Sequence, residues 1–147
     1  MTFATDHLDR LVARKAEAVP VVRTMELGLL DAWRPGFAAK RWVPEPHLLN
    51  ADGSMFGGYL AALADQVMAF AAMTVVPDGG MFRTINLAIQ FLRVGRAHPL
   101  LVEGRVTAQT RSLITVEADF FREDDRALIA RATAQQILTP VPIPPTP

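Results

Sequence analysis

Asp65 lies in the middle of an apolar stretch and is the only formal charge between Asp52 and Asp78. A carboxylate in such surroundings needs hydrogen-bond partners, a changed protonation state or an opening to solvent. Ala61, Ala62, Met68 and Ala69 would flank it one turn away on a helix, and three of the four are small enough to leave room for a ligand. Such a group can border a ligand cavity, or it can be a structural side chain bonded to a strand backbone. Gly57 and Gly58 open the same stretch, although glycine inside a helix costs about 1 kcal/mol relative to alanine. First-turn N–H groups have no intrahelical acceptor and lie at the positive end of the helix dipole. They can polarise a carbonyl or hold an oxyanion, while the glycines can equally serve a turn or close packing. Eight residues separate Gly57 from Asp65, about 12 Å at 1.5 Å per residue. Reacting groups must approach to about 3–3.5 Å, so one helix cannot bring both to the same carbonyl. If both are catalytic, a second subunit with an antiparallel helix has to share the site.

Other chemistries find little support in the residues. There are no cysteines, which removes disulfides, thiolate nucleophiles and cysteine-held zinc. Ser54 lacks the flanking glycines of a nucleophile elbow, and neither a Walker loop nor a GxGxxG run occurs. His7, His47 and His98 are too scattered for a local metal site, so no metal is expected. Fifteen basic residues balance fifteen acidic ones, which gives no case for a nucleic-acid partner. Asp6 and Asp9 interrupt the N-terminal run, so no signal peptide is expected and the default location is cytoplasmic. Met55–Val76 is long enough to span a bilayer. Its central carboxylate and the absence of a flanking Lys/Arg cluster favour a buried soluble helix instead.

These residues need elements to position them. At 147 residues, half of them hydrophobic, the chain suits one core. The spacing predicts an amphipathic helix over Thr5–Val19, stopped by Pro20. Thr24–Trp33 and Phe37–Val43 read as strands joined by a hairpin at Arg34-Pro35-Gly36. A polar loop, His47–Ser54, leads into the long helix, which is apolar nearly all round and should therefore be enclosed. Four strands follow, over Arg83–Val94, Leu100–Ala108, Ser112–Arg122 and Ala127–Leu138. Ile85, Leu87, Ile89 and Phe91 alternate in the first, and short breaks favour antiparallel neighbours. The proline-rich tail is expected to run as a polyproline-II extension. The division that follows is a helical extension over 1–22, a main domain over 23–139 and a tail over 140–147. The expected class is α+β, an antiparallel sheet wrapped around a central helix.

Together, Asn50, Gly53, Phe56-Gly57-Gly58 and Leu63-Ala64-Asp65 resemble the signature of hotdog-fold acyl-CoA thioesterases of the phenylacetate-pathway type. That signature has an Asn, a Gly three residues later, then His-Gly-Gly and Leu-Ala-Asp in the central helix. Arg83-Thr84-Ile85-Asn86 and the residues after it resemble the family's next strand, and the likeness covers about Thr24 to Leu138. The resemblance implies hydrolysis of an aryl- or fatty-acyl-CoA with Asp65 as general base or nucleophile. It further implies a carbonyl-polarising Gly57 amide, a Thr84 hydroxyl that orients the carboxylate or water, and an Asn50 that positions the thioester or water. Homodimers, often paired again, are implied as well, with coenzyme A present only as part of the substrate. The family histidine is Phe56 here, which can neither donate a hydrogen bond nor exchange a proton. It could extend an apolar acyl pocket beside Gly58, and the same change raises the alternative of a non-catalytic acyl-CoA-binding module. Among the arginines, Arg111 is the candidate for the phosphate end of coenzyme A.

Overall fold

In the computed structural model, residues 1–140 are described; the expected polyproline-II tail lies outside them apart from Thr139 and Pro140, which end a strand. Helices α1 (Phe3–Val12) and α2 (Pro20–Thr24) precede strands β1 (Ala32–Arg34) and β2 (Phe37–Trp42). A short 3-10 turn at Pro46–Leu48 leads to α3 (Gly57–Met73), followed by β3 (Gly80–Phe91), β4 (Leu100–Gln109), β5 (Leu113–Arg122) and β6 (Leu128–Pro140). The six strands form one antiparallel sheet in the order β1-β2-β4-β5-β6-β3. The crossover that carries β3 to the far edge is α3 itself, which packs across the inner face of the sheet. Val102, Ile114, Val116, Phe120, Ala132 and Ala134 line that face and are buried against Leu60, Leu63, Ala64, Val67, Met68 and Ala71 of the helix. This is the hotdog fold.

Two glycines shape the packing. At Gly36, φ is +74° in the two-residue β1–β2 turn, where Arg34 pairs with Phe37 as the hairpin reading requires. At Gly104 on β4, an added Cβ would lie 2.7 Å from the Val67 carbonyl oxygen, so the helix backbone can approach the sheet only over a residue without a side chain.

The N-terminal part departs from expectation. The helix expected over Thr5–Val19 ends at Val12, residues 13–19 are not helical, and Pro20 is the first residue of a second helix rather than a stop. A side-chain cap by Thr2 starts α1, and Arg14 adopts φ +58° just after its end. Pro20 occupies the first helical position, where its missing N–H is harmless. The expected strand over Thr24–Trp33 is reduced to β1. Met25–Asp31 is a strap held largely by side chains of other elements. Tyr59 Oη donates to the Glu26 carbonyl (2.8 Å), Gln66 Nε2 to that of Gly28 (2.8 Å) and Arg14 Nη1 to that of Leu30 (2.6 Å).

Candidate active site

Helix α3 carries Gly57 at its first turn and Asp65 at its middle, and sheet packing fixes which way each faces. Asp65 is not enclosed as expected: the sheet covers only one side of α3, and the carboxylate emerges on the uncovered side. There it meets β3. The hydroxyl of Thr84 donates to Asp65 Oδ1 at 2.9 Å.

That contact depends on an irregularity in β3. Thr84 pairs with Gln136 and Leu87 with Ala134, both buried on the inner face, with a register shift between Thr84 and Asn86. Ile85 is the extra residue of this bulge and is 54% exposed, so it does not belong with Leu87 and Ile89 on the covered face. Without the bulge, Thr84 and Leu87, an odd number of residues apart, would point to opposite faces. Asn86 secures the shift by donating through Nδ2 to Gln135 Oε1 (2.8 Å) and accepting from the Gln135 N–H (3.1 Å).

A second locus lies at the start of α3. Its Ncap is Phe56, whose carbonyl accepts from the N–H groups of Tyr59 and Leu60, and no side chain caps the helix. The Gly57 and Gly58 N–H groups precede any possible intrahelical acceptor. Gly57 lines a cavity of about 370 Å³ with Ser54, Met55, Leu60 and the segment Phe91–Gly95. The cavity wall is tied together where the Met55 N–H donates to the Gly95 carbonyl (2.9 Å). A Cβ on Gly57 would lie 2.9 Å from the Phe91 ring and one on Gly58 2.8 Å from the Phe56 ring, but both rings are about half exposed and can swing aside. Phe56 is 57% exposed and, like Gly58, is not among the residues lining this cavity. Asn50 shapes the approach, its side-chain amide donating to Ser54 Oγ (2.9 Å) and to the Met55 carbonyl (3.2 Å).

Within one chain, then, Asp65 and Thr84 come together, and Asn50 and Gly57 belong to one loop-and-helix junction. The two pairs remain apart on the continuous helix, by about 12 Å along its axis. Asp65 is not among the residues lining the cavity, which opens at Gly57. Arg111 is exposed in the β4–β5 turn. Beside that turn, Gln109 Nε2 donates to the Val75 carbonyl just beyond the end of α3 (3.3 Å), so Arg111 lies at the far end of the helix from Gly57.

Sequence reasoning overlooked Lys40. It is 2% exposed on the inner face of β2 and donates to the Leu27 carbonyl and to Gln66 Oε1. Burial pushes its ammonium down to about 8, partly opposed by Asp31. The signal was present in the alternation Ala38, Lys40, Trp42, which puts all three on one face of a strand. Also overlooked was Asp119, buried on the opposite face of the sheet. Burial alone would raise its pKa, but hydrogen bonds from Arg131 and Arg105 outweigh this and hold the carboxyl below its ordinary range.

Comparison with known proteins agrees with the fold. The family model of the thioesterase superfamily matches residues 52–129, from the loop before α3 into β6. A Ralstonia eutropha thioesterase described as phenylacetic acid degradation-related is 28% identical, with a TM-score of 0.77 over 88% of this chain and 98% of that one. A Haemophilus influenzae thioesterase is 14% identical, with a TM-score of 0.80 over 95% of this chain and 94% of that one. A Streptococcus mutans protein bound to acetyl CoA is 22% identical, with a TM-score of 0.69 over 76% of this chain and 87% of that one. No curated protein matches the chain. Fold and family model agree on a class, the hotdog hydrolases of thioester bonds. The chain belongs to the thioesterase superfamily, and its likeness to the Ralstonia protein supports the phenylacetate-pathway type that its signature resembles. Among the described residues no helix is long and apolar enough to cross a membrane.

Proposed function

We propose that this protein hydrolyses acyl-CoA thioesters to the free acid and coenzyme A, with Asp65 as the reacting carboxylate. The observation that carries the reading is the 2.9 Å bond from the Thr84 hydroxyl to Asp65 Oδ1. It holds an accessible carboxylate at a defined angle and leaves its remaining lone pairs free to take a proton or attack a carbonyl carbon. In the water route, Asp65 accepts a proton from water and the resulting hydroxide adds to the thioester carbonyl. The oxyanion is held by the Gly57 N–H, the C–S bond breaks, and the thiolate leaves to be protonated. In the covalent route, Asp65 itself attacks and water then hydrolyses the mixed anhydride.

Because Gly57 and Asp65 are separated along one helix, the complete site is shared between two copies of the chain. The β3 edge suits such pairing: it is the last strand of the described sheet, and Ile85, Phe91, Leu92 and Val94 at or beyond it are each about half exposed or more. In the homodimer, Gly57 of one chain faces Asp65 of the other across an antiparallel pair of helices, and two dimers associate further. Phe56 and Gly58 border the acyl group, Asn50 keeps the loop at its approach, and Arg111 contacts the coenzyme A phosphates. The Streptococcus mutans neighbour bound to acetyl CoA supports this choice of carrier. The reaction needs no cofactor and would draw on a cytoplasmic acyl-CoA pool.

Phe56 favours a second reading, a module that binds acyl-CoA without turning it over, because phenylalanine contributes no hydrogen bond where the family places histidine. One experiment separates the two: thiol release from a panel of aryl- and fatty-acyl-CoAs, with wild type beside Asp65→Asn. Turnover that vanishes in the variant supports hydrolysis at Asp65. A silent wild type whose melting temperature rises with acyl-CoA supports the binding module.

A further inference from the structure

Gln136 is the one described residue whose buried side-chain polar atoms lack any partner. Both Oε1 and Nε2 are fully enclosed and neither makes a hydrogen bond. A buried amide left unpaired costs about 1–3 kcal/mol per group relative to an apolar residue of similar shape, yet every other inward-facing residue in the paired part of β6 before it is alanine: 130, 132 and 134. The position of this amide is informative. In the β6–β3 register Gln136 is directly opposite Thr84, on the same face, and Thr84 is the residue whose hydroxyl holds Asp65. Directly opposed residues in an antiparallel pair have their Cβ atoms about 4.5–5.5 Å apart, within reach of a glutamine side chain. The Thr84 hydroxyl spends its one hydrogen on Asp65 and keeps two acceptor lone pairs. The Gln136 amide has the matching donor.

We infer that Gln136 is a positioning residue for the reaction, donating through Nε2 to Thr84 Oγ1 when the site closes around substrate. This inference rests on the role proposed above for Asp65. A donor placed behind Thr84 directs its hydrogen toward the carboxylate and suppresses the other hydroxyl rotamers. Catalytic hydrogen bonds that are long in the free enzyme commonly tighten when substrate is bound. The β3 bulge is required for this arrangement, because it lets Thr84 face Gln136 and Asp65 while Leu87 and Ile89 still pack on the core.

The test uses Gln136→Met, which keeps the length and removes the amide, and Gln136→Asn, which withdraws the amide by one methylene. Each is measured in the full-length protein beside wild type, Thr84→Val and the double variant Gln136→Met/Thr84→Val. Gln136→Met is expected to melt at or above the wild-type temperature, because an unpaired buried amide is gone. Its kcat is expected to fall roughly tenfold, about the worth of one neutral hydrogen bond, with KM little changed. Gln136→Asn should lose kcat in the same direction, and Gln136→Met should have no further effect once Thr84 is valine. Full kcat in both Gln136 variants would overturn the inference while leaving the role of Asp65 intact, as would losses that simply add to that of Thr84→Val. A wild type that hydrolyses no acyl-CoA would overturn both together. Should Gln136→Met fail to fold, Gln136→Asn in the same cycle decides.

Discussion

Asp65 and Gln66 are consecutive on α3, about 100° apart around the helix, and they reach toward opposite edges of the sheet. Gln66 meets β2, where its Oε1 accepts from Lys40 (2.6 Å) and its Nε2 donates to the Gly28 carbonyl (2.8 Å). Asp65 meets β3, where it accepts from Thr84 and is otherwise open. The Gln66 contact is closed. It ties the Met25–Asp31 strap to the helix, encloses an ammonium group and leaves little free for a ligand. The Asp65 contact is unfinished, an ionisable group oriented by one neighbour at the edge of the described sheet. With the role proposed for Asp65, the pair contrasts a polar group that holds the fold together with one that does chemistry. A structural polar group has its partners within the chain, whereas a reactive one keeps bonding capacity for something that arrives later.

The widest separation between the two residues should come from truncating the reactive one. Asp65→Ala is expected to lower kcat by about 10²–10⁴, the range for loss of a general base, while the melting temperature stays near that of wild type. An exposed carboxylate with a single neutral donor contributes little to stability. Thiol release and thermal melting on the same preparation check this, and retention of more than a tenth of the wild-type rate would remove Asp65 from the chemistry.

The structural edge should reveal itself through pH. Lys40 is held at about 8, well below the ordinary lysine value of 10.5. Below pH 8 the ammonium is charged in both folded and unfolded chains, so the full penalty of burying it is present. Above about 10.5 it is neutral in both, and the penalty is gone. Between these values the unfolded chain binds more protons, so stability rises with pH, by about 3 kcal/mol for a shift of this size. Denaturation midpoints across pH 7.5–10.5 should show the rise in wild type and lose it in Lys40→Met. Equal slopes in the two proteins would mean that Lys40 titrates as an exposed lysine does.

Truncating the structural member of the pair should reverse the Asp65 result. Gln66→Ala removes an acceptor from the buried ammonium and a donor from the Gly28 carbonyl, and about 2 kcal/mol of stability should be lost. The kcat of the folded enzyme should not change. A fall in kcat with unchanged stability would show that the two edges are not separable.

Legibility in the sequence followed the same division. The long helix, the β1–β2 hairpin and the four later strands were readable because hydrophobic periodicity determines them locally, and Asp65 was conspicuous as one charge in that apolar run. The strap at Met25–Asp31 was not readable as such. Its order comes from Tyr59, Gln66, Arg14 and Lys40, which belong to other elements, and its apolar residues mimic a strand. The bulge at Ile85 was hidden because Ile85, Leu87, Ile89 and Phe91 alternate without a break, whereas the pairing of Asn86 with Gln135 shifts the register. The exposure of Asp65 was misjudged for a third reason: an alanine-rich helix looks apolar on every side, while a sheet covers only one. The family resemblance brought Thr84 forward, but only the register shows how a threonine beside an exposed isoleucine comes to face the helix.

The smallest effect tests that register most directly. Thr84→Val keeps the branched shape that suits a strand and removes the single hydroxyl joining β3 to Asp65. The fold should tolerate it, since the hydroxyl lies at an exposed site and the valine methyl takes its place. The carboxylate then keeps its charge and its position on the helix but loses its one oriented donor. A roughly tenfold fall in kcat is expected, the scale of one hydrogen bond, with KM and melting temperature near wild type. Thr84→Ser, which restores the hydroxyl, should recover most of the rate. An unchanged kcat in Thr84→Val would make the 2.9 Å contact incidental. Asp65 would then have to be oriented from elsewhere, and a partner chain at the open β3 edge would be the next place to look.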